Sequence, residues 1–469
     1  MNTNNKGDKT TDNKSHFLTA AEKMQANLGP ALCLAKWKQV SLHLPTGLNN
    51  SCYHPPLQQI TADDLQRTGG IHNTAHKKQQ RMMMIRGEKP TECQYCWNME
   101  NLDKLSDRHY RSGEAWAAVD FEKIKNSVGN EDDVVPSYVE VNFNHACNLK
   151  CSYCSPQFSS SWGEEIERHG AYPTSKPHNA PEHFVGNRKP ILVREDNPYV
   201  DAFWEWWPTL YPELVHFRMT GGEPLMDKNT YRVFDYVLAN PSPQLHLNVT
   251  SNFSVEDQLF KKYISYVKRL CTPDIEHFMQ YVSLDSGIPA QAEYLRHGLD
   301  YGRMANNVEE FLTDIPYRNS LTFIITMNNL TVTGLPALLK WILELRKAHS
   351  TTYQRVWFDT PVLREPTWQS LQILPESYVT QLERARDYML ANMVTDENLL
   401  HGFKDYEVQR LERDIAWMRE GQHKDNSVAQ ADFYRFFNEH NSRRGTDFLK
   451  TFPEMRSWWA ECEYHARVT

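Results

Sequence analysis

Over residues 137–365, short stretches that alternate between apolar and polar side chains are separated by stretches with helical spacing. Residues 137–143 (SYVEVNF) alternate as a half-buried strand does, and residues 333–349 carry apolar side chains along one helical face. Further strands are predicted at residues 216–220, 245–250, 281–284, 321–327 and from 356. Six successive strand–helix units predict an α/β fold with a parallel sheet, whose ligand-binding residues gather at the carboxyl ends of the strands.

The rest of the chain divides into three further regions. Residues 1–17 are polar and are predicted to form a disordered tail. Residues 18–130 are predicted to form a small Cys-rich module built on a hairpin, because residues 40–44 alternate before a Pro-Thr-Gly turn. Residues 366–469 are charged and are predicted to be helical.

Charge and hydropathy argue against two classes of partner. The chain has 469 residues, with 51 Lys and Arg against 59 Asp and Glu, for a net charge of −8. A large nucleic-acid footprint needs an excess of basic residues, so nucleic acid is not expected. No apolar run approaches the roughly 18 residues of a membrane span. The N-terminus has no apolar core of the signal-peptide kind, and the expected location is the cytoplasm.

Three thiols lie within eight residues at the most specific point of the chain. They are Cys147, Cys151 and Cys154, at a Cys-x3-Cys-x2-Cys spacing. Iron–sulfur clusters are held by Cys thiolates on short spacings of this kind, whereas structural zinc sites usually close all four positions. Three thiolates on a four-iron cluster leave one iron open to a small molecule. From the residues alone, a zinc knuckle or three unrelated core cysteines are the alternatives.

The triplet, with the aromatic Tyr153 before its last Cys, resembles the cluster loop of the radical S-adenosylmethionine (SAM) enzymes. A second signature of that superfamily stands at the end of the next predicted strand: Gly221, Gly222, Glu223 and Pro224. The resemblance implies a [4Fe–4S] cluster whose open iron binds SAM, and backbone and carboxylate groups that hold the SAM amine. It also implies that residues 137–365 form a partial (β/α)6 parallel barrel.

The following strand ends complete the implied SAM site. Ser251 and Asn252 would reach the ribose, and Ser283 and Asp285 stand at the equivalent place on the next strand. Arg296 is the candidate for the SAM carboxylate, because a guanidinium fork suits a carboxylate. The alternative for Arg296 is an ion pair with Glu293 on the surface of a predicted helix.

Four more thiols stand in the N-terminal module: Cys33, Cys52, Cys93 and Cys96. A Cys, a turn with Gly47, a second Cys and a Cys-x2-Cys pair resemble the twitch or SPASM auxiliary-cluster modules of radical SAM enzymes. Those modules follow the barrel in the best-known members, whereas this one precedes it. The resemblance implies a second, auxiliary [4Fe–4S] cluster. A zinc site held by the same thiolates is the alternative, and His54 could replace one thiol.

The implied activity is reductive cleavage of SAM to a 5′-deoxyadenosyl radical that abstracts a hydrogen atom from substrate. The favoured substrate is a peptide or protein side chain, which would be oxidised or crosslinked with the auxiliary cluster as electron acceptor. Flavodoxin or ferredoxin is the expected electron donor. Two alternatives stay open: a small-molecule dehydrogenase or epimerase acting, for example, on an aminosugar, and a zinc-binding interaction protein with a degenerate barrel.

Overall fold

A computed structural model describes residues 12–127, 133–184, 189–271, 277–315 and 319–469, with side chains from residue 18 onward. The predicted tail lies outside the described residues as far as residue 11, and a helix already begins at Asp12. The chain divides into two compact units. The first comprises the described residues of Met1–Asn144, Ile191–Thr220 and Ser242–Leu247, and the second those of His145–Pro190, Gly221–Pro241 and Asn248–Thr469.

The described residues contain eleven strands. They are β1 (Gln39–His43), β2 (Leu48–Asn50), β3 (Gln58–Gln59), β4 (Tyr138–Asn142), β5 (Lys150–Cys151), β6 (His216–Thr220), β7 (His246–Ser251), β8 (His277–Ser283), β9 (Arg296–His297), β10 (Ser320–Ile324) and β11 (Val356–Asp359).

Helices separate these strands and make up the C-terminal region. Those before β6 are α1 (Asp12–Asn27), α2 (Ala35–Lys38), α3 (Ala62–Leu65), α4 (Ala75–Ile85), α5 (Gln94–Glu100), α6 (Asp107–Gly113), α7 (Ala115–Ala118), α8 (Phe121–Lys125), α9 (Ser160–His169) and α10 (Pro198–Leu210). Those after it are α11 (Lys228–Ala239), α12 (Asp257–Leu270), α13 (Pro289–Leu295), α14 (Tyr301–Asp314), α15 (Thr331–His349), α16 (Val379–Ala391), α17 (Asp405–Gly421), α18 (Ser427–Arg444), α19 (Phe448–Thr451) and α20 (Arg456–Val468).

In the first unit, the strands pair in the order β6-β4-β1-β2-β3. Strand β1 is antiparallel to β2 and parallel to β4, with Gln39 opposite Tyr138 and His43 opposite Asn142. The turn after β1 carries Gly47 at a φ of +63°, where a Cβ would lie 2.1 Å from the Tyr199 ring. Only glycine therefore suits this turn. The parallel pairing with β4 joins segments about a hundred residues apart, which local alternation does not predict.

In the second unit, β10 is parallel to both β8 and β11, and β7 belongs to this unit from Asn248 onward. Helix α15 buries the apolar face predicted for it: Leu335, Leu338, Leu339, Ile342 and Leu345. Helices α18 to α20 share an aromatic core, and α16 packs against α15 and α17. The core residues are Phe433, Phe436, Phe437, Phe448 and Trp458. The predicted mixed α/β fold, with a parallel sheet and a helical C-terminal region, is confirmed.

Within the part of the chain that the structure describes, no helix is both long enough and apolar enough to cross a membrane.

Candidate functional site

The loop that carries the Cys triplet is held by its own backbone and by the start of α9. The Cys147 amide donates to Ser160 Oγ at 3.2 Å, and Ser161 Oγ donates to the Cys147 carbonyl at 2.7 Å. The Cys154 amide donates to the Cys151 carbonyl at 2.9 Å, which forms a tight turn. These bonds fix the backbone around three half-buried thiols.

Burial favours the neutral, protonated form of the three thiols. It raises the pKa of Cys147 and Cys151, and it raises that of Cys154 to about 12. Cys151 raises the pKa of both Cys147 and Cys154 further, as expected for thiols grouped closely enough to repel one another when ionised. Metal binding needs thiolates, so a bound cation would have to overcome this preference for the neutral form.

The Gly-Gly-Glu segment after β6 packs directly against the residue that precedes Cys147. Gly221 adopts a φ of +111°, which favours glycine. A Cβ at Gly222 would lie only 2.2 Å from the Ala146 carbonyl oxygen. The Glu223 amide donates to that same oxygen at 2.7 Å. Both glycines are therefore needed for the close approach of this segment to the Cys loop.

The Glu223 carboxylate is buried and accepts two backbone hydrogen bonds. Its Oε1 accepts from the Leu225 amide at 3.0 Å, and its Oε2 accepts from the Asn252 amide at 2.8 Å. Burial raises the pKa of Glu223 to about 7, although these hydrogen bonds lower it. A cation placed beside Glu223 would favour its ionised form. Pro224, which follows, is buried at the start of a short 3₁₀ turn.

The strand end after β7 reaches into the Cys triplet itself. Asn252 Nδ2 donates to Asn148 Oδ1 at 2.8 Å, and Asn148 Nδ2 donates to the Ser254 carbonyl at 3.0 Å. Ser251 is buried, and its Oγ accepts from the Phe253 amide at 2.9 Å. Asn148, which was not singled out from the sequence, therefore links the Cys loop to this strand end.

The next strand end forms a buried charged network with the Cys loop. Asp285 is fully buried and accepts from the Tyr153 hydroxyl at 2.8 Å, the Thr326 amide at 3.0 Å and Arg296 Nη2 at 3.0 Å. Arg296 Nε lies 2.9 Å from the other carboxylate oxygen of Asp285. Ser283 is the last residue of β8, opposite Ile324 in β10.

Arg296 differs from its sequence interpretation in place and partner. It follows α13 and begins β9, which pairs with β5 so that Arg296 stands opposite Cys151. Its ion-pair partner is Asp285, whereas Glu293 accepts from the Tyr301 amide at 3.1 Å. The alternative of a surface pair between Glu293 and Arg296 is therefore wrong.

The C-terminal helices contribute a residue that sequence reasoning left without a role. Arg444 is buried at the end of α18 and donates to the Lys150 carbonyl, inside the Cys loop, at 2.8 Å. Its guanidinium also pairs with Glu165 at 3.1 Å and lies over the Trp162 ring. Trp162 Nε1 donates to the Cys151 carbonyl at 2.9 Å. The Arg-Arg-Gly run at 443–445 was the only sequence signal, and it did not identify a partner.

Burial alone would raise the pKa of Glu165. Its pairing with Arg444 and its hydrogen bonds from Arg444, Lys150 and Tyr172 instead lower it to about 2. The carboxylate is therefore ionised and balances two cations beside the loop.

In the first unit, the four N-terminal thiols line one small cavity of about 20 Å³. Cys33 precedes α2, Cys52 follows β2, and Cys93 and Cys96 lie at the start of α5. Burial raises the pKa of all four thiols, and Cys33 raises those of Cys52, Cys93 and Cys96 further. The fold thus groups the four thiols that the sequence grouped.

Cations surround this cavity, each beside a carboxylate. Lys36 pairs with Glu92, and Arg108 pairs with Glu100 at 2.8 Å. The ring of His54, also on the cavity wall, lies 2.5 Å from Asp107 Oδ2 and stacks on Tyr95. His54 is thus engaged with a carboxylate. In the described ranges, no group of three or more His, Cys, Asp or Glu side chains is arranged to hold a metal ion.

The sequence matches no protein-family model and no curated protein. Among solved structures it is similar to Streptococcus suis SuiB bound to S-adenosylmethionine, with 14% identity, a TM-score of 0.36 and coverage of 71% of this chain and 65% of that one. SuiB bound to the precursor peptide SuiA gives 10% identity, a TM-score of 0.35 and coverage of 67% and 62%. A third structure, of Streptococcus suis SuiB, gives 13% identity, a TM-score of 0.35 and coverage of 70% of this chain and 64% of that one. The chain spans just under two thirds of the SuiB chains it matches.

Proposed function

We propose that this chain is a radical SAM enzyme in which Cys147, Cys151 and Cys154 hold a [4Fe–4S] cluster. One observation carries the proposal: three separate segments after β6, β7 and β8 contact the loop that bears these thiols. The contacts are Glu223 with Ala146, Asn252 with Asn148, and Asp285 with Tyr153. Polar groups at carboxyl strand ends that converge on three grouped thiols fit a cluster with a small ligand on its open iron.

The same segments supply groups suited to SAM. Glu223 is a buried acceptor for the methionine ammonium, and the tight backbone at Gly221 and Gly222 allows a ligand to approach closely. Ser251 and Asn252 are proposed to face the ribose of SAM. Ser283 and Asp285 are proposed to stand at the equivalent place after the next strand. When bound, the cluster and SAM supply the reductive cleavage that generates a 5′-deoxyadenosyl radical for hydrogen abstraction from substrate. The protein would bind and orient the cluster and SAM, and it would exclude water from the site.

The proposed architecture is a partial (β/α)6 barrel over residues 137–365. The parallel pairings of β8, β10 and β11, each strand followed along the chain by a helix or turn, support it. Crossover connections between parallel strands are right-handed, and parallel strands have their carboxyl ends at the same edge of the sheet.

We propose that Cys33, Cys52, Cys93 and Cys96 hold an auxiliary [4Fe–4S] cluster in a twitch- or SPASM-like module. Their convergence on one cavity supports a four-thiolate group. Zinc–sulfur bonds of about 2.3 Å draw four sulfurs tightly around one ion. A cluster spaces them more widely, and counting iron, sulfide and zinc distinguishes the two sites.

The proposed substrate is a peptide or protein side chain, oxidised or crosslinked with the auxiliary cluster as electron acceptor. The segment Glu293-Tyr-Leu-Arg296 after Ser-Leu-Asp-Ser, which resembles peptide-modifying members, supports a peptide. Flavodoxin or ferredoxin is the proposed electron donor.

The test compares wild type with the Cys147→Ala/Cys151→Ala/Cys154→Ala variant after anaerobic purification and reconstitution. Iron, sulfide and zinc are counted, and 5′-deoxyadenosine formed from SAM with dithionite is assayed. We expect about eight iron and eight sulfide per wild-type chain, the count for two [4Fe–4S] clusters. In the variant we expect about half that iron and no 5′-deoxyadenosine.

The matched control is Cys271→Ala, which removes a thiol from the same unit but outside the loop. It should keep full iron and full 5′-deoxyadenosine formation. A wild-type chain that carries only zinc and forms no 5′-deoxyadenosine would falsify the proposal.

A further inference from the structure

The guanidinium fork of Arg296 is already occupied. Nη2 donates to one carboxylate oxygen of Asp285 at 3.0 Å, and Nε lies 2.9 Å from the other. The Nη2 contact is a hydrogen bond, whereas the Nε contact is an ion-pair contact without hydrogen-bond geometry. Both side chains are buried, with 5% of Arg296 and none of Asp285 exposed. A second carboxylate could use this guanidinium only by breaking a buried ion pair, which is strongly unfavourable.

The remaining terminal nitrogen points to a thiol of the Cys triplet. Arg296 Nη1 donates to Cys151 Sγ at 3.5 Å, a hydrogen-bond distance for a sulfur acceptor. The backbone enforces this contact, because β9 and β5 pair with Cys151 opposite Arg296. The Ser152 amide also donates to the Leu295 carbonyl at 2.8 Å.

The segment after β9 packs against the same loop. Gly298 adopts a φ of +100°, and a Cβ there would lie 2.8 Å from the Asn148 carbonyl oxygen. The Cys loop and the segment that carries Arg296 are thus held in register by backbone contacts on both sides of the arginine. The N–H···S contact therefore follows from the way the backbone of the two segments is paired.

We propose that Arg296, anchored by Asp285, is a positioning residue that donates a hydrogen bond to the Cys151 sulfur and thereby raises the reduction potential of the cluster. This inference rests on the proposed function, in which Cys151 is a cluster ligand. It replaces the sequence interpretation that Arg296 binds the SAM carboxylate.

The sign of the effect follows from charge. Reduction adds one electron to the cluster, and a buried cation beside a ligand sulfur stabilises the more negative, reduced state. Hydrogen bonds to cluster sulfurs act in the same direction. Asp285 carries the opposite charge within the same buried pair, so it partly offsets Arg296. Removing one partner or the other should therefore shift the potential in opposite directions.

The test is an EPR-monitored redox titration of the reconstituted full-length chain without SAM. The Cys147→Ala/Cys151→Ala/Cys154→Ala variant provides the signals of any second cluster for subtraction. Arg296→Gln should leave about tenfold less cluster reduced at a fixed applied potential, equivalent to a shift of about −59 mV for one electron. Asp285→Asn should shift the potential upward, and Arg296→Lys should lie between wild type and Arg296→Gln.

The matched control is Arg346→Gln, in the same unit. Arg346 is also fully buried and pairs with a buried carboxylate, that of Glu407, but its other bonds are to backbone carbonyls. This variant should lose stability without shifting the potential. The dissociation constant for SAM, followed by the change that SAM causes in the EPR spectrum, is measured on every variant.

Two results would overturn the inference. In the first, Arg296→Gln and Asp285→Asn leave the SAM-free potential unchanged or shift it in the same direction, whether or not Arg296→Gln weakens SAM binding. In the second, neither variant assembles a cluster, which makes the pair a structural requirement and not a tuning device. A wild-type chain that binds no iron would instead contradict the proposed function.

Discussion

At the scale of single residues, the candidate site depends on positions where the backbone leaves no room for a side chain. Gly222 is the clearest case, because a Cβ there would lie 2.2 Å from the Ala146 carbonyl oxygen. That oxygen accepts the hydrogen bond from the Glu223 amide. One methyl group would therefore press on the Cys loop and on the Glu223 backbone together.

We expect Gly222→Ala to lower the free energy of unfolding by about 1–3 kcal/mol, the usual cost of an added group in a packed site. It should also reduce the iron retained after reconstitution, because the Cys loop is displaced. Thermal unfolding and iron counting measure the two effects. Gly163→Ala is the control, since a Cβ there meets nothing within 4 Å. It should be neutral or stabilise α9 by up to about 1 kcal/mol. Equal iron content in the two variants would contradict this account.

At the scale of elements, local patterns predicted more than distant contacts did. Strand alternation and turn signals need only neighbouring residues, so the strands that precede Gly221, Asn252 and Asp285 were foreseen. The partner of Arg296 was not foreseen, because it depends on how β9 docks against β5. The pairing of β1 with β4 was missed for the same reason.

Helix α18 shows how far such a contact can lie along the chain. Gly445 adopts a left-handed φ of +64° and ends the helix. Arg444, the last helical residue, reaches the Lys150 carbonyl and Glu165 from almost 300 positions away. The sequence predicted a charged, helical C-terminal region, but it could not show that one of the cations in that region supports the Cys loop.

We expect Arg444→Met to destabilise the second unit by about 3–5 kcal/mol, because it leaves the buried Glu165 without its main partner. Iron should also be lost faster to a chelator, because the Lys150 carbonyl loses its donor. Denaturant unfolding and the rate of iron release measure these effects. Arg435→Met is the control on the same helix, where a partly exposed pair with Asp432 should contribute at most about 1 kcal/mol. Equal iron-release rates in the two variants would remove the role of α18 in holding the loop.

At the scale of the whole molecule, the chain carries two separate groups of thiols, one in each compact unit. The three-thiol group is surrounded by polar strand-end residues, which suits a site that binds a small molecule. The four-thiol group lines one cavity and has a full set of ligands, which suits a closed site. The two groups should therefore respond differently to the loss of their thiols.

We expect Cys93→Ala/Cys96→Ala to lose about half of the iron and sulfide while retaining cleavage of SAM to 5′-deoxyadenosine. The three-thiol site keeps all its ligands in this variant, whereas the other site keeps only Cys33 and Cys52, too few for a four-iron cluster. Cleavage should then run uncoupled from substrate oxidation, because the proposed electron acceptor is gone. Cys462→Ala, which removes a buried thiol from α20, is the control and should keep full iron. Zinc lost with iron unchanged would identify the four thiols as a zinc site. Full iron together with unchanged zinc would show that they bind neither metal.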